Sequence, residues 1–160
     1  MAQTTFSQGE EWMTDLRKKW KNAASYTIEV AEAMPEEYYE FKPTEEEMSF
    51  RRQLVHLSGN MLWLSSSYLN HGAFNRDSVA NWTPTKAATL ELLRQSFDTA
   101  AEALERVDVA DLGKEVQFFA GPMHLRQIIL LMHDHLTHHR GQAIVYLRLK
   151  GIKPPAYRGW

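Results

Sequence analysis

Cysteine is absent from the 160-residue chain. Disulfides, thiolate metal ligands and a cysteine nucleophile are excluded, so any transition-metal site must use nitrogen and oxygen donors. The absence leaves the compartment open, because cytosolic and exported proteins can both lack cysteine. Long apolar runs are also missing: no stretch of the sequence reaches the roughly 18 residues of a membrane span. Nor is there a basic excess, with 18 Lys and Arg against 20 Asp and Glu and a formal net charge of −2. Nucleic acid and anionic membranes both select a basic face, so neither is expected as a partner. The opening Met1-Ala2-Gln3-Thr4-Thr5 has neither the charged start nor the apolar segment of a signal peptide. A cytoplasmic location is expected, the alternative being export with a signal removed ahead of Ala2.

What is present suits one globular domain spanning 1–160, with 44% hydrophobic and 24% charged residues. A chain of this size can bury roughly 70% of its unfolded surface, enough to hold a core without a staple.

Four segments carry helical periodicity. The first runs from about Ser7 to Met34, with Met13, Leu16, Trp20, Ala24, Thr27, Val30 and Met34 on one stripe, and Pro35 stops it. The acidic and aromatic stretch from Pro35 to Met48 reads as a connection. The second begins at Ser49, a good N-cap, and runs to about Asn70, with Phe50, Leu54, Leu57, Met61, Leu64 and Tyr68 forming its stripe. His56, Asn60 and Trp63 lie on the adjacent one. The third starts at Thr83-Pro84 and carries Leu90, Leu93, Phe97, Ala101, Leu104 and Val107 on one face. Asp108 to Gly121 is a longer connection, in which Glu115 to Phe119 suggests a short extended piece over the bundle. The fourth runs from about Gly121-Pro122 to Lys150, with Gly151 in the C′ position and Pro154-Pro155 beyond. The pattern predicts an all-α four-helix bundle around one core.

Seven histidines occur, four of them between His133 and His139. Residues four apart stack on one helix face, and only His135 and His139 form such a histidine pair. They continue the apolar stripe of Leu125, Ile128 and Met132, which must point into the bundle. His135 with His138 is an alternative pair three residues apart. Zinc requires imidazole nitrogens at about 2.0–2.1 Å, and His56, mid-helix on another segment, is the natural third donor. Ring nitrogens about 3–4 Å apart are then expected. Taken alone, His56 would read as an inert, hydrogen-bonded core histidine. The inward pair is harder to explain so, because each buried imidazole needs partners for both nitrogens. His71, His124, His133 and His138 read as solvent-facing, loop or supporting groups. Leu136 follows His135, so the His-Glu-x-x-His arrangement that supplies a general base to zinc proteases is absent.

His135-Leu136-Thr137-His138-His139-Arg140-Gly141-Gln142 resembles the signature of the DinB/YfiT-like superfamily. Leu54-Val55-His56-Leu57-Ser58-Gly59-Asn60 matches its other ligand position. Met48-Ser49-Phe50, Tyr146-Leu147-Arg148 and Gly151-Ile152-Lys153-Pro154-Pro155 extend the similarity over nearly the whole chain after about residue 10. The resemblance implies a four-helix bundle, often a homodimer, with nickel or zinc held by His56, His135 and His139. It also implies, for some relatives, metal-dependent transfer of low-molecular-weight thiols such as bacillithiol or mycothiol. The family name derives from a DNA-damage-inducible gene and carries no polymerase activity with it.

Two readings follow. In the first, a three-histidine metal with an open position activates a small thiol against an electrophilic small-molecule substrate, with metal-dependent hydrolysis as the competing chemistry. In the second, the metal only ties helices together in a non-catalytic dimeric module. Asn60, Asp134, Gln142 and Tyr146 are candidate supporting or substrate-orienting groups, each with a packing or surface role as its alternative.

Overall fold

The computed structural model describes residues 8–75, Val79 and residues 85–160. Four long helices build it: α1 (Gln8–Ala33), α2 (Phe50–Leu64), α3 (Lys86–Arg106) and α4 (Leu125–Leu149). Their starts and stops follow local chemistry. Ser49 caps α2 by accepting the Arg52 N–H, and Thr85 caps α3 by accepting the Ala88 N–H. Thr83-Pro84, expected as the start of this helix, lies outside the described residues. α4 ends with Gly151 at φ 72°, its N–H on the Arg148 carbonyl, while the Ile152 N–H reaches Leu147. That is the paired closure of a left-handed C′ residue, which glycine adopts without a Cβ clash. α2 widens into a π-helical turn over Ser65–Leu69, where the Ser65 hydroxyl donates to the Met61 carbonyl at 2.7 Å.

α2 packs against α3 and α4, and α1 packs against the same two helices. α1 and α2 therefore sit on opposite corners of the bundle, as do α3 and α4. This arrangement explains the long connections at 34–49 and 107–124, each of which must cross an end of the bundle. The first crossing is anchored by Tyr39, whose hydroxyl donates to the Ala31 carbonyl at 2.7 Å and whose ring meets Phe50 edge-on. The second carries a two-residue antiparallel pair, β1 (Glu115–Val116) with β2 (Met123–His124). Extended structure thus covers only the first two of the five residues expected from the sequence. Because Met123 and His124 are paired to it, α4 starts later than Gly121-Pro122.

The core is the sum of the four stripes. Met13 and Val30 of α1, Leu54, Leu57 and Met61 of α2, Leu93 of α3, and Ile128 and Leu136 of α4 are all fully buried. At about 25 cal/mol per Å² of apolar area removed from water, such a layer dominates the stabilisation of the fold. In α1 the inward face is broader than its expected stripe: Ala23, Tyr26 and Ala31 are buried as well, while Ala24 is half-buried.

Candidate metal centre

The packing of α2 against α4 brings His56 to the histidine pair. Residues near the start of α2 meet those past the middle of α4, so the two helices run antiparallel. Gln53 faces Tyr146, and His56 faces His135 and His139. His56 Nε2 and His135 Nε2 lie 3.1 Å apart, and one ring nitrogen from each of the three residues falls within 4.8 Å of the others. The ring centroids are 4.4–4.9 Å apart. His135–His138 is thereby set aside as the inward pair, because His138 is exposed and its Nε2 engages Gln142 at 2.9 Å.

His139 is the most enclosed of the three, at 7% exposure, while His56 and His135 remain partly open. Burial, then the neighbouring His135, His56 and His138, push the His139 imidazole down to about 3. It is neutral at any physiological pH, as a metal ligand must be.

A hydrogen-bonded chain fixes which nitrogen of His139 carries the proton. The Met48 carbonyl can only accept, and the Tyr146 hydroxyl donates to it at 2.9 Å. The Tyr146 oxygen is then free to accept from Gln53 Nε2 at 3.2 Å. That turns Gln53 Oε1 toward His139 Nδ1, 2.5 Å away. Nδ1 must donate, and the lone pair is left on Nε2. Gln53 is 1% exposed and Tyr146 3%, so water does not compete for these bonds. Tyr146 was legible from the sequence as a supporting residue. Gln53 was not, although it stands three residues before His56 at the spacing that shares a helix face.

The remaining candidates divide. Asn60 lies one turn beyond His56, with Oδ1 buried and without a hydrogen-bond partner among the described residues. Gln142 serves His138, and Asp134 is exposed and outside the three-residue cluster. His71 and His124 are exposed, as expected. His133 is a correction to any solvent-facing reading: it is 9% exposed and packs 6.3 Å from Trp20, on the α1 side of α4. Arg140, 5% exposed, lies 5.0 Å over the Tyr26 ring on that side too. Residues 133 and 140 are two turns apart, so the sequence places them on one face, away from the one that carries His135 and His139.

The donor set fits a divalent cation of borderline softness: three imidazoles converge, and one of them is oriented from behind. The DinB family profile matches residues 1–159. The chain belongs to the DinB family. Among solved structures, a DinB-like protein (YjoA) of Bacillus subtilis is 23% identical with a TM-score of 0.75, covering 90% of this chain and 97% of that one. A DinB-like protein of Bacillus cereus is 18% identical with a TM-score of 0.78, at 90% and 96% coverage. YfiT of Bacillus subtilis, described as a probable metal-dependent hydrolase with an unusual four-helix bundle topology, is 13% identical with a TM-score of 0.70, at 96% and 94% coverage. At these identities the likenesses establish the shared bundle fold. No curated protein matches the chain.

Proposed function

We propose that this DinB protein is a metal-dependent transferase that joins a low-molecular-weight thiol to a small electrophilic substrate, with zinc or nickel held by His56, His135 and His139. The observation that carries the reading is the makeup of the cluster: three imidazoles, with no carboxylate joining them among the described residues. Neutral donors leave the full charge of a divalent cation to act on what binds beside it. A bound cation would supply Lewis acidity, lowering the pKa of an adjacent thiol or water. A thiol starts from about 8.5 and water from 15.7, so the thiol needs much the smaller shift to ionise at neutral pH.

The chain's own residues supply position and access. Gln53 and Tyr146 hold the His139 ring in one orientation from the buried side. His56 and His135, less buried than His139, form the outer side of the cluster. Hydrolysis stays as the second, favoured by the description of YfiT. A homodimer in the cytoplasm is the assembly and location in keeping with the rest.

The test is an assay of the zinc- and nickel-loaded chain with an electrophilic bimane, with and without a small thiol. Turnover that requires both metal and thiol is expected. Metal-dependent cleavage of an activated ester without thiol would move the assignment to hydrolase. Metal binding with neither activity would leave a structural tie between α2 and α4.

A further inference from the structure

The face of α2 that carries His56 continues past the metal centre. Asn60 and Trp63 follow His56 by four and seven residues, which sets the three side chains in one row, about 6 and 10 Å along the axis. The middle of the row is Asn60 Oδ1, buried and lacking a partner among the described residues. A buried acceptor left unpaired is costly, so this position suits a donor from a ligand. The far end is aromatic. Trp63 stacks on Phe118 at 5.6 Å and on Phe119 at 6.1 Å, both at 28° between planes, and the two phenylalanine rings are 4.4 Å apart. Phe118 is buried against Tyr68, but Phe119 is 81% exposed.

That exposure is built into the backbone. The Gly121 N–H closes a turn onto the Phe118 carbonyl at 3.0 Å, and Gly121 takes φ 110°, where a side chain would be strained. β1 and β2 hold the two ends of the turn together. Phe119 is thus kept in solvent at the edge of the ring array that ends the row.

We propose that this row is the substrate strip: a planar aromatic group stacks on Trp63 and Phe119 while a hydroxyl or N–H of the same molecule donates to Asn60 Oδ1. The strip rests on the transferase reading, for which it names the substrate class: small aryl electrophiles whose reactive carbon is joined to the ring by a short arm reaching the histidines. Flat rings stack offset on such an array and bury apolar area that the chain leaves exposed. The polar centre of the row favours such a ligand over a wholly apolar partner surface.

The test uses the full chain, with and without zinc, titrated with indole and with 1-methylindole, which lacks the N–H, and followed by amide chemical shifts. Indole is expected to shift Asn60, Trp63 and Phe119 and to bind more tightly than 1-methylindole. Phe119→Ala, at a site too exposed to affect folding, should weaken indole about two- to tenfold, the worth of one aromatic pair. Its zinc affinity should stay unchanged. Asn60→Ala should abolish the preference for indole over 1-methylindole. Shifts confined to other residues, or indole affinity untouched by Phe119→Ala, would overturn the strip. So would a dimer that Phe119→Ala converts to monomer, since the row would then be covered by a second copy. Indole binding without zinc binding would sustain the strip and remove the metal reading; zinc binding without indole binding would do the reverse.

Discussion

Gln53 Oε1 stands 2.5 Å from His139 Nδ1, across the contact between α2 and α4 and sealed from solvent on both sides. The relationship ties a residue with no metal-binding chemistry of its own to the orientation of the deepest candidate ligand. It also makes the ligand's tautomer a consequence of a backbone carbonyl three hydrogen bonds away, at Met48.

Gln53→Leu should therefore lower metal affinity about 10–100-fold, the usual cost of losing such a support, while the helices stay folded. Leucine fills nearly the same buried space but offers His139 Nδ1 no acceptor. Zinc titration against a competing chelator measures the affinity, and ¹⁵N shifts of the His139 ring report the tautomer. Unchanged affinity with a mixed tautomer would show that the support is dispensable.

Tyr146→Phe removes the hydroxyl that orients Gln53 but leaves the Gln53–His139 contact available. A smaller loss is expected than for Gln53→Leu, with both Gln53 amide orientations then populated. The same chelator titration ranks the two variants, and an effect of Tyr146→Phe larger than that of Gln53→Leu would contradict the order of the chain.

The pH dependence has a definite sign. In the folded, metal-free chain His139 is held down to about 3, against an ordinary value of 6.5. His133 is lowered as well, by burial and then by Lys19 and Arg140. For His139, between about 3 and 6.5 the unfolded chain binds more protons than the folded one, and His133 acts in the same direction, so stability falls as pH drops below about 6.5. For His139 the loss levels off below about 3, where both states are protonated. Urea melts of the metal-free chain at pH 7.5, 5.5 and 4 should give falling midpoints. His139→Gln should flatten part of that fall. Metal affinity should drop over the same interval, because protons compete for the same nitrogens.

Much of this arrangement is legible in the sequence, and the reason is periodicity. The stripe through Ile128 and Met132 carries His135 and His139 inward, and Ser49 announces the start of the helix that holds His56. What periodicity does not carry is the partner across a helix contact. Gln53 reads as one more polar residue on α2 until packing sets it against His139. His133 sits in a run of histidines and charged neighbours, yet the bundle has a second interior face there, against Trp20 of α1. The extended piece at Glu115 is suggested by the sequence, but its partner is not: Glu115 pairs with His124 and Val116 with Met123, across a turn whose closure periodicity does not report.

Assembly gives a further check. Leu130, Val145 and Leu149 are apolar and about half exposed along α4, a surface suited to a two-fold partner. Light scattering at micromolar concentration should report twice the chain mass of 18.5 kDa. A mass equal to one chain would remove the homodimer.

Metal and fold should separate cleanly. His139 lies at the edge of a core that does not depend on it: Leu54, Leu57 and Met61 of α2 and Ile128, Met132 and Leu136 of α4 are buried at 0–1% exposure. A core of this extent holds a 160-residue chain together without a staple, unlike that of a zinc finger. His139→Ala deletes one imidazole, leaves a local void and frees the Gln53 carbonyl oxygen, for a stability cost of about 1–3 kcal/mol beyond any metal-linked term. It also removes the donor with the most fixed orientation, so metal binding should be lost. If the centre is catalytic, activity falls by orders of magnitude in a chain whose far-ultraviolet circular dichroism and cooperative melt are preserved. The three measurements belong on one preparation, so that metal content, fold and turnover are compared directly. A variant unfolded at room temperature would instead make the metal a staple between α2 and α4, and the non-catalytic reading would take precedence.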